Sequence, residues 1–447
     1  MAQPYTREWW LDRLILRLGA KQRRYDLLDS YVRSNPPMPP RPDKGDSNAA
    51  FEFLRRISRV NWADIIVESV VERQTLLQFV GPDEAQRVWT ANGLPTQLSQ
   101  VLRTKGTLGE AYSIVGDSID PALGVPRVTF EDPRQVIAEV DPIDKSTVRA
   151  ALKVFTDDAA GVDLAYLWLR TEGPAVLHKA LRPIPRADRL STTPHRLTFT
   201  ADRWEWQEPE TLSTAEVPVV WWPNRADLYG RTMGEFEHVL DDLDRINLLV
   251  LQRVQVAVLQ AFRQRAVKGN LPEKDEHGNP IDYNVLLAAD PGALWQLPSG
   301  VELWESSGVD LTPILESVKG DVRDVAGRTR TPLYYFYPDA ATGSAEGAAT
   351  QREGLVFRAN SRMAETSGPI AQTMTLALAA MGQAAAVQPV WLRPDLATVS
   401  ERYDAAAKAI SAGVPWRTVM VDVLQFTPEQ VATMEEAGTG TGPGTTA

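Results

Sequence analysis

Apolar residues recur at helical spacing most clearly over residues 233–264. Phe236, Val239, Leu240, Leu243, Ile246, Val250, Val254, Ala257, Val258 and Ala261 follow one another at i, i+3 and i+4. Acids crowd the first half (Glu235, Glu237, Asp241, Asp242, Asp244) and arginines the end (Arg253, Arg263, Arg265), as the helix dipole favours. Leu248, Leu249, Leu251, Val256 and Leu259 lie off the stripe, so the helix is apolar on several faces and expected to be covered on several sides. Leu248 and Leu251 are the candidates for contacts with neighbouring subunits. A second amphipathic helix is predicted over about 310–328 (Leu311, Ile314, Leu315, Val318, Val322, Val325) and a longer one over about 350–383. Gly368-Pro369 falls inside the long one, where a missing N–H and a ring clash one turn back predict a kink.

Between these helices lies the most unusual stretch. A cationic run (Arg328, Arg330) leads into Thr331-Pro332, then an aromatic knot (Tyr334, Tyr335, Phe336, Tyr337), then a run of small residues from Ala340 to Ala349. So little side chain reads as backbone left free to move or to lie against something large and smooth. The aromatic knot is expected to anchor that loop by packing rather than to stack on nucleic-acid bases.

Elsewhere the pattern alternates between helices and strands. Residues 6–34 read as helix, followed by a Pro-rich exposed arm at 35–46. Further helices are expected from Asn61 or Ser58 onward, at about 82–92 and at 96–110, then a short strand near 111–115. From about 126 to 222, short runs rich in β-branched and aromatic residues, separated by turn residues, predict antiparallel sheet, with Trp168, Trp204, Trp206, Trp221 and Trp222 in its core. Residues 266–308 form an acidic insertion with strand-like pieces, and 397–436 read as three short helices before a Gly-Thr-rich, disordered tail at 437–447. The fold class is α+β.

Composition narrows the function. At 447 residues there is room for two to four structural units. The absence of cysteine excludes disulfides and thiolate chemistry and fits a reducing compartment. A net charge of −11 argues against a general duplex-DNA binder, although residues 1–60 carry twelve Lys/Arg against seven Asp/Glu. The chain contains no run apolar enough for a membrane span. It lacks a P-loop, a GxSxG elbow, an HExxH pair and a dinucleotide fingerprint, and its four histidines lack metal-ligand spacing. No catalytic residue, metal or cofactor is therefore expected. Asp241, Asp242 and Asp244 are the best candidates for a metal-dependent nuclease, but acids in that half of a helix are expected to complement its dipole. Glu110, Asp117 and Asp120 read as turn acids.

Several stretches together resemble the portal proteins of tailed bacteriophages, in particular the siphophage type from actinobacterial hosts. They are RRYDLLDSYVRSNPPMP, NWADIIVESVVERQ, EDPRQVIAEVDP followed by RAALKVF, AFRQRAVKG, DLTPILESVKGDVRDVAGRTRTPLYYFYPDAATGSAEGAATQREGLVF and AAAKAISAGVPWRTVMVDVLQFTPEQ. The resemblance is collinear over nearly the whole chain. It implies a portal-like subunit with a wing of helices plus antiparallel sheet (1–230), a two-helix stem (231–265 and 309–330) and a small α/β clip (266–308). A tunnel loop (331–349), a long kinked wing helix (350–384) and a short helical crown (385–436) would follow. It also implies a homo-oligomeric ring, a dodecamer, at one vertex of the virion capsid, assembled in the host cytoplasm. The implied partners are major capsid and scaffolding proteins, the terminase large subunit, a head-completion adaptor, and double-stranded DNA passing through without sequence specificity. In that frame Thr342, Gly343, Ser344, Glu346 and Gly347 would face DNA. The stem cations Lys319, Arg323, Arg328 and Arg330 would either touch phosphates in passing or bridge subunits. A non-portal capsid scaffold or adaptor with the same layout is the remaining alternative beside the nuclease.

Overall fold

The computed structural model describes residues 3–39, 49–185, 197–261, 265–269, 271–274, 277–278, 280–283, 301–305, 308–338, 345–395, 399–426 and 428–437. The chain divides into two compact units. The first comprises Met1–Arg33, Trp62–His238 and Gly327–Ala447; the second comprises Ser34–Asn61 and Val239–Ala326.

The first unit is organised around two antiparallel sheets. Helix α1 (Arg7–Val32) starts where the Thr6 hydroxyl accepts a bond from the Trp9 N–H, a serine/threonine-type cap. Helices α3 (Ala63–Val71), α4 (Asp83–Ala91) and α5 (Leu94–Leu108) follow. A six-stranded sheet runs β4 (Val136–Val140), β5 (Val148–Asp157), β6 (Val162–Leu169), β7 (Val176–Pro183) and β8 (Glu205–Trp206), with β9 (Glu210–Thr211) also on β7. Successive side chains on a strand point to opposite faces. Ala150, Leu152 and Val154 of β5 therefore meet Trp10, Leu11, Leu14 and Leu18 of α1, while Ala151 joins Tyr112, Trp168 and Val219 on the other face; Val148 joins that other face too, past an irregularity in the β4–β5 register. That second face is covered by the three-stranded sheet β10 (Val219–Pro223), β2 (Glu110–Asp120) and β3 (Val125–Glu131), in that order. Trp168 and Trp222 are buried, and Trp204, Trp206 and Trp221 pack partly buried beside them, as core tryptophans should.

Helix α8 (Ala345–Ala380) crosses β2, β3 and β10 and also packs on α3 and α4. Its first residue lies five positions ahead of the sequence expectation, so Glu346 and Gly347 belong to its opening turn and not to a loop. The alanine-rich run Ala345–Ala349 has high helix propensity, which outweighs a single glycine. The helix is continuous through Pro369. Beside the proline, the Thr366 and Ser367 hydroxyls donate to the Arg362 and Met363 carbonyls. A two-stranded sheet of β1 (Leu76–Val80) and β13 (Gln388–Trp391), and helices α9 (Val399–Ser411), α10 (Trp416–Asp422) and α11 (Pro428–Glu436), complete this unit. The tail beyond 437 lies outside the described residues.

The second unit holds helix α2 (Ala49–Ile57), helix α6 (Leu240–Ala261), the antiparallel pair β11 (Arg265–Lys268) and β12 (Glu302–Glu305), and most of helix α7 (Thr312–Thr329). Of the Pro-rich arm, residues 35–39 are described, with Asn35, Pro37 and Met38 exposed as expected. Pro36 and Pro39 are buried, the Arg55 guanidinium donates to the Pro39 carbonyl at 2.8 Å, and Arg59 donates to Asn35 and Pro36. Helix α2, which the sequence pattern did not suggest, supplies Arg55 and packs on α6, and Arg59 follows just after its end. Leu251 is 2 % exposed in the single chain, so it is a core residue and not a subunit-contact candidate; Leu248 is half-buried. Asp242 pairs with Arg245, which also reaches Asp321 at 3.0 Å.

Candidate functional site

The helix expected from residue 233 begins later, and the reason leads to the site. Residues 233–236 are pinned to the end of α5 instead of coiling. The Glu235 N–H donates to the Gly106 carbonyl at 2.7 Å, and a Cβ on Gly234 would sit 2.5 Å from the Thr107 carbonyl oxygen, so only glycine fits there. A short 3-10 turn, Glu237–Val239, then leads into α6. Glu237 accepts from the Gly234 N–H and from both Nε and Nη2 of Arg24 on α1.

This detour drives Glu235 into the interior, where it is 2 % exposed. Its carboxylate accepts from Arg358 Nε at 2.9 Å, from Arg362 Nε, and from the Asn224 amide at 3.0 Å. Burial alone would push this carboxyl upward, but the Arg358 and Arg362 charges and their hydrogen bonds outweigh it and hold the group at about 2. Arg358 and Arg362 lie four residues apart on one face of α8 and so reach the same partner. Arg358 has further work. Its Nη1 donates to the Thr329 carbonyl and the Thr331 hydroxyl, and its Nη2 donates to the Ile66 carbonyl at 2.7 Å. One buried guanidinium thus ties α8 to α3 and to the chain leaving α7.

That chain is the base of the small-residue loop. Arg330 has φ 53°, a left-handed conformation that stops α7, and Pro332 prevents helix from resuming at once. The aromatic knot then packs against this base. Phe336 is buried with its ring 5.5 Å from that of Trp62, Tyr337 lies 6.1 Å from the same indole, and Tyr334 and Tyr335 stack at 5.0 Å. Tyr335 also packs on Val70, Leu355 and Ala359. Thr342, Gly343 and Ser344 lie outside the described residues, as do the side chains of Glu346 and Gly347.

Of the four cations expected on a stem, two fall in each compact unit. Lys319 pairs with Glu316 at 2.8 Å and Arg323 is exposed, both in the second unit. Arg328 and Arg330, in the first unit, line a cavity of about 280 Å³. Arg225, Arg358, Arg362, Glu235, His238, Thr329 and Ser361 complete its wall. Arg225 Nη1 lies 3.0 Å from His238 Nδ1. An arginine can only donate, so His238 carries its proton on Nε2, which faces the Arg328 carbonyl at 3.4 Å. Arg328 Nη2 in turn donates to the His238 carbonyl. Burial and the charges of Arg225 and Arg328 lower the His238 pKa, keeping the ring neutral.

Glu235, Arg358 and Arg362 escaped the sequence reading, which treated Glu235 as a dipole-complementing acid. The available signal was two arginines four apart interleaved with Leu355, Ala359 and Met363. Glu110 was missed in the same way: it is 1 % exposed and accepts from Lys21, Tyr25, Tyr112 and Trp221. Among the described residues no group of three or more His, Asp or Glu side chains could hold a metal, and no helix is long and apolar enough to cross a membrane.

No protein-family model matches the chain, and no curated protein matches it. Solved structures are similar to it, two of them as follows. One is a chain from the virion of a native gene transfer agent particle, with 12 % identity, 89 % of this chain and 98 % of that chain covered, and a TM-score of 0.41. The other is a chain from the neck of an empty gene transfer agent particle, with 11 % identity, 84 % and 94 % covered, and a TM-score of 0.42.

Proposed function

We propose that the chain is a portal subunit of a tailed-phage-type particle, forming a ring at one capsid vertex through which DNA is packaged and ejected. The observation that carries this reading is the order of elements from α6 onward. Helix α6, the strand pair β11–β12 and helix α7 are followed by a braced aromatic base, a short small-residue segment and the 36-residue helix α8. Helices α6 and α7 are the stem in this reading, the β11–β12 region is the clip, and 331–344 is the loop facing the tunnel. The partners would be further copies of the chain, capsid and scaffolding proteins, the terminase large subunit, a head-completion adaptor, and duplex DNA without sequence specificity. The acidic net charge suits a conduit, because a wall that repels the phosphate backbone does not retain it.

The nuclease alternative loses ground. Asp242 is held by Arg245, Asp241 is solvent-exposed, and among the described residues no group of three or more acids or histidines could hold a metal.

Electron microscopy of the purified full-length chain tests the proposal. Rings with an axial hole wide enough for a DNA duplex are expected; a monodisperse monomer at every concentration would overturn it. Leu248→Asp should reduce the ring fraction while leaving the monomer's circular dichroism and melting temperature near wild type. Unchanged rings would remove Leu248 from the subunit contact.

A further inference from the structure

Among the described residues, the three most exposed large apolar side chains stand on two adjoining loops of the first unit. Ile143 is 93 % exposed, Leu228 89 % and Tyr229 90 %. One loop is the turn between β4 and β5, the other the connector that follows β10, and Lys145 Nζ of the first donates to the Leu228 carbonyl of the second at 2.5 Å. Neither loop is slack. Asp141 Oδ1 accepts from the Ile143 and Asp144 N–H groups, and Asp227 Oδ1 accepts from those of Tyr229 and Arg231. Such side-chain-to-backbone turns fix the chain locally, so these apolar side chains are held out in water by design of the loops. Single exposed apolar residues are ordinary, but three on two fastened loops present on the order of 500 Å², as much as the largest patch of a typical monomer. Beside them opens a cleft of about 460 Å³ with Val140, Pro142 and Trp221 in its wall.

The charges on the sheet point to what covers this surface. Strand β4 and the β8–β9 pair lie at opposite edges of the six-stranded sheet. Beside β4, Arg13 and Arg17 of α1 both donate to the one carboxylate of Glu139 and keep nearly half of their side chains in solvent, while Asp141 is met by Arg149. At the other edge Glu205, Glu208 and Glu210 are exposed, with Lys179 paired to Glu210 and Arg7, which lies over Trp206, paired to Glu8. We infer that the β4 edge of one copy, together with Ile143, Leu228 and Tyr229, docks on the β8–β9 edge of the next copy. The inference rests on the ring reading and names a contact within that ring. A contact that joins two different faces of identical chains closes into a ring or runs on as a filament, so it suits an assembly of this kind. The apolar patch with its charged rim approaches the area of about 800 Å² per partner that a specific interface buries. The opposed edges steer one copy onto the next, and the desolvated apolar side chains hold it there.

The test uses the full-length chain and counts rings by electron microscopy. Leu228→Asp combined with Tyr229→Asp should lower the ring fraction about tenfold, since charges then face the contact. The monomer's circular dichroism and melting temperature should stay those of wild type, because both side chains are already in water. Glu208→Arg and Arg17→Glu should each lower the ring fraction at low salt, an effect that shrinks as salt screens the repulsion, and the two together should restore part of it. The chain has no cysteine, so Ile143→Cys supplies a unique thiol. A water-soluble maleimide should label it about tenfold more slowly in rings than in the same chain diluted to monomer. Normal rings from the Leu228→Asp, Tyr229→Asp variant, or a thiol labelled as fast in rings as in monomer, would overturn the inference and give the patch to a different protein. No recovery in the Glu208→Arg, Arg17→Glu variant would remove the β8–β9 edge as the acceptor and overturn it as well. A wild type that stays monomeric overturns this inference and the ring reading together, whereas wild-type rings that ignore these substitutions overturn this inference alone.

Discussion

Glu110 and Glu235 are both buried almost completely in the first unit, and they are neutralised in different ways. Glu110, at the start of β2, is met by one ammonium, Lys21, and by the neutral donors Tyr25, Tyr112 and Trp221. Glu235 is met by two guanidiniums and an amide. Burial raises both pKa values and the cations overcome it in both. The difference lies in what remains. Around Glu110 the charges balance, and α1 is simply stapled to the sheet. Around Glu235 two guanidiniums share one carboxylate, and Arg362 reaches Glu365 as well. A buried acid with one matched cation fastens one helix to a sheet, whereas one shared by two arginines ties α8 to α3 and to the chain leaving α7.

Removing the charge at each site should separate them most. Glu235→Gln leaves Arg358 and Arg362 buried without their counter-ion, and a loss of about 3–5 kcal/mol is expected in urea unfolding. Glu110→Gln keeps its side-chain oxygen as an acceptor, and Lys21 is exposed enough to turn its ammonium to water; about 1–3 kcal/mol is expected. Equal losses would erase the contrast. A pH series sharpens it. Glu235 titrates at about 2 when folded against an ordinary 4.5, so its contribution is complete above 4.5 and is lost as pH falls from 4.5 toward 2. Glu235→Gln should therefore flatten the stability profile across that window; a profile parallel to wild type would show that the carboxylate is not held ionised by its arginines.

The elements with strong periodicity were legible in the sequence. Helices α1, α6 and α7 and the strands between 126 and 222 follow directly from apolar spacing, and the aromatic knot reads as packing because its neighbours are apolar. What was hidden depends on partners distant in sequence. Glu235 looks like any acid near a helix start until Gly106 and Thr107, more than a hundred residues earlier, hold its backbone out of the helix. Arg358 and Arg362 look like surface cations on a long helix until α3 and the end of α7 close over them. Leu251 looks like a spare apolar face because its burial depends on neighbours that the spacing within its own helix does not report. Periodicity reports the face an element buries, but it carries no record of which buried polar groups will find each other.

Lys105 offers the smallest and most specific test of the same neighbourhood. It is 2 % exposed, donates to the Thr366 hydroxyl at 2.7 Å, and has a pKa lowered to about 8 by burial, with Glu365 and Glu235 opposing that shift and Arg362 adding to it. The folded value lies below the ordinary 10.5, so at neutral pH the charged form is carried into the interior at a cost that disappears as pH rises from 8 to 10.5. Lys105→Met keeps the chain length and removes the charge. It should raise stability at pH 7 by about 1–2 kcal/mol once the lost hydrogen bond is set against the relieved burial. That gain should shrink between pH 8 and 10.5 as the wild-type lysine becomes neutral. A variant less stable than wild type at pH 7 would mean that Glu235 and Glu365 stabilise the ammonium more than burial penalises it.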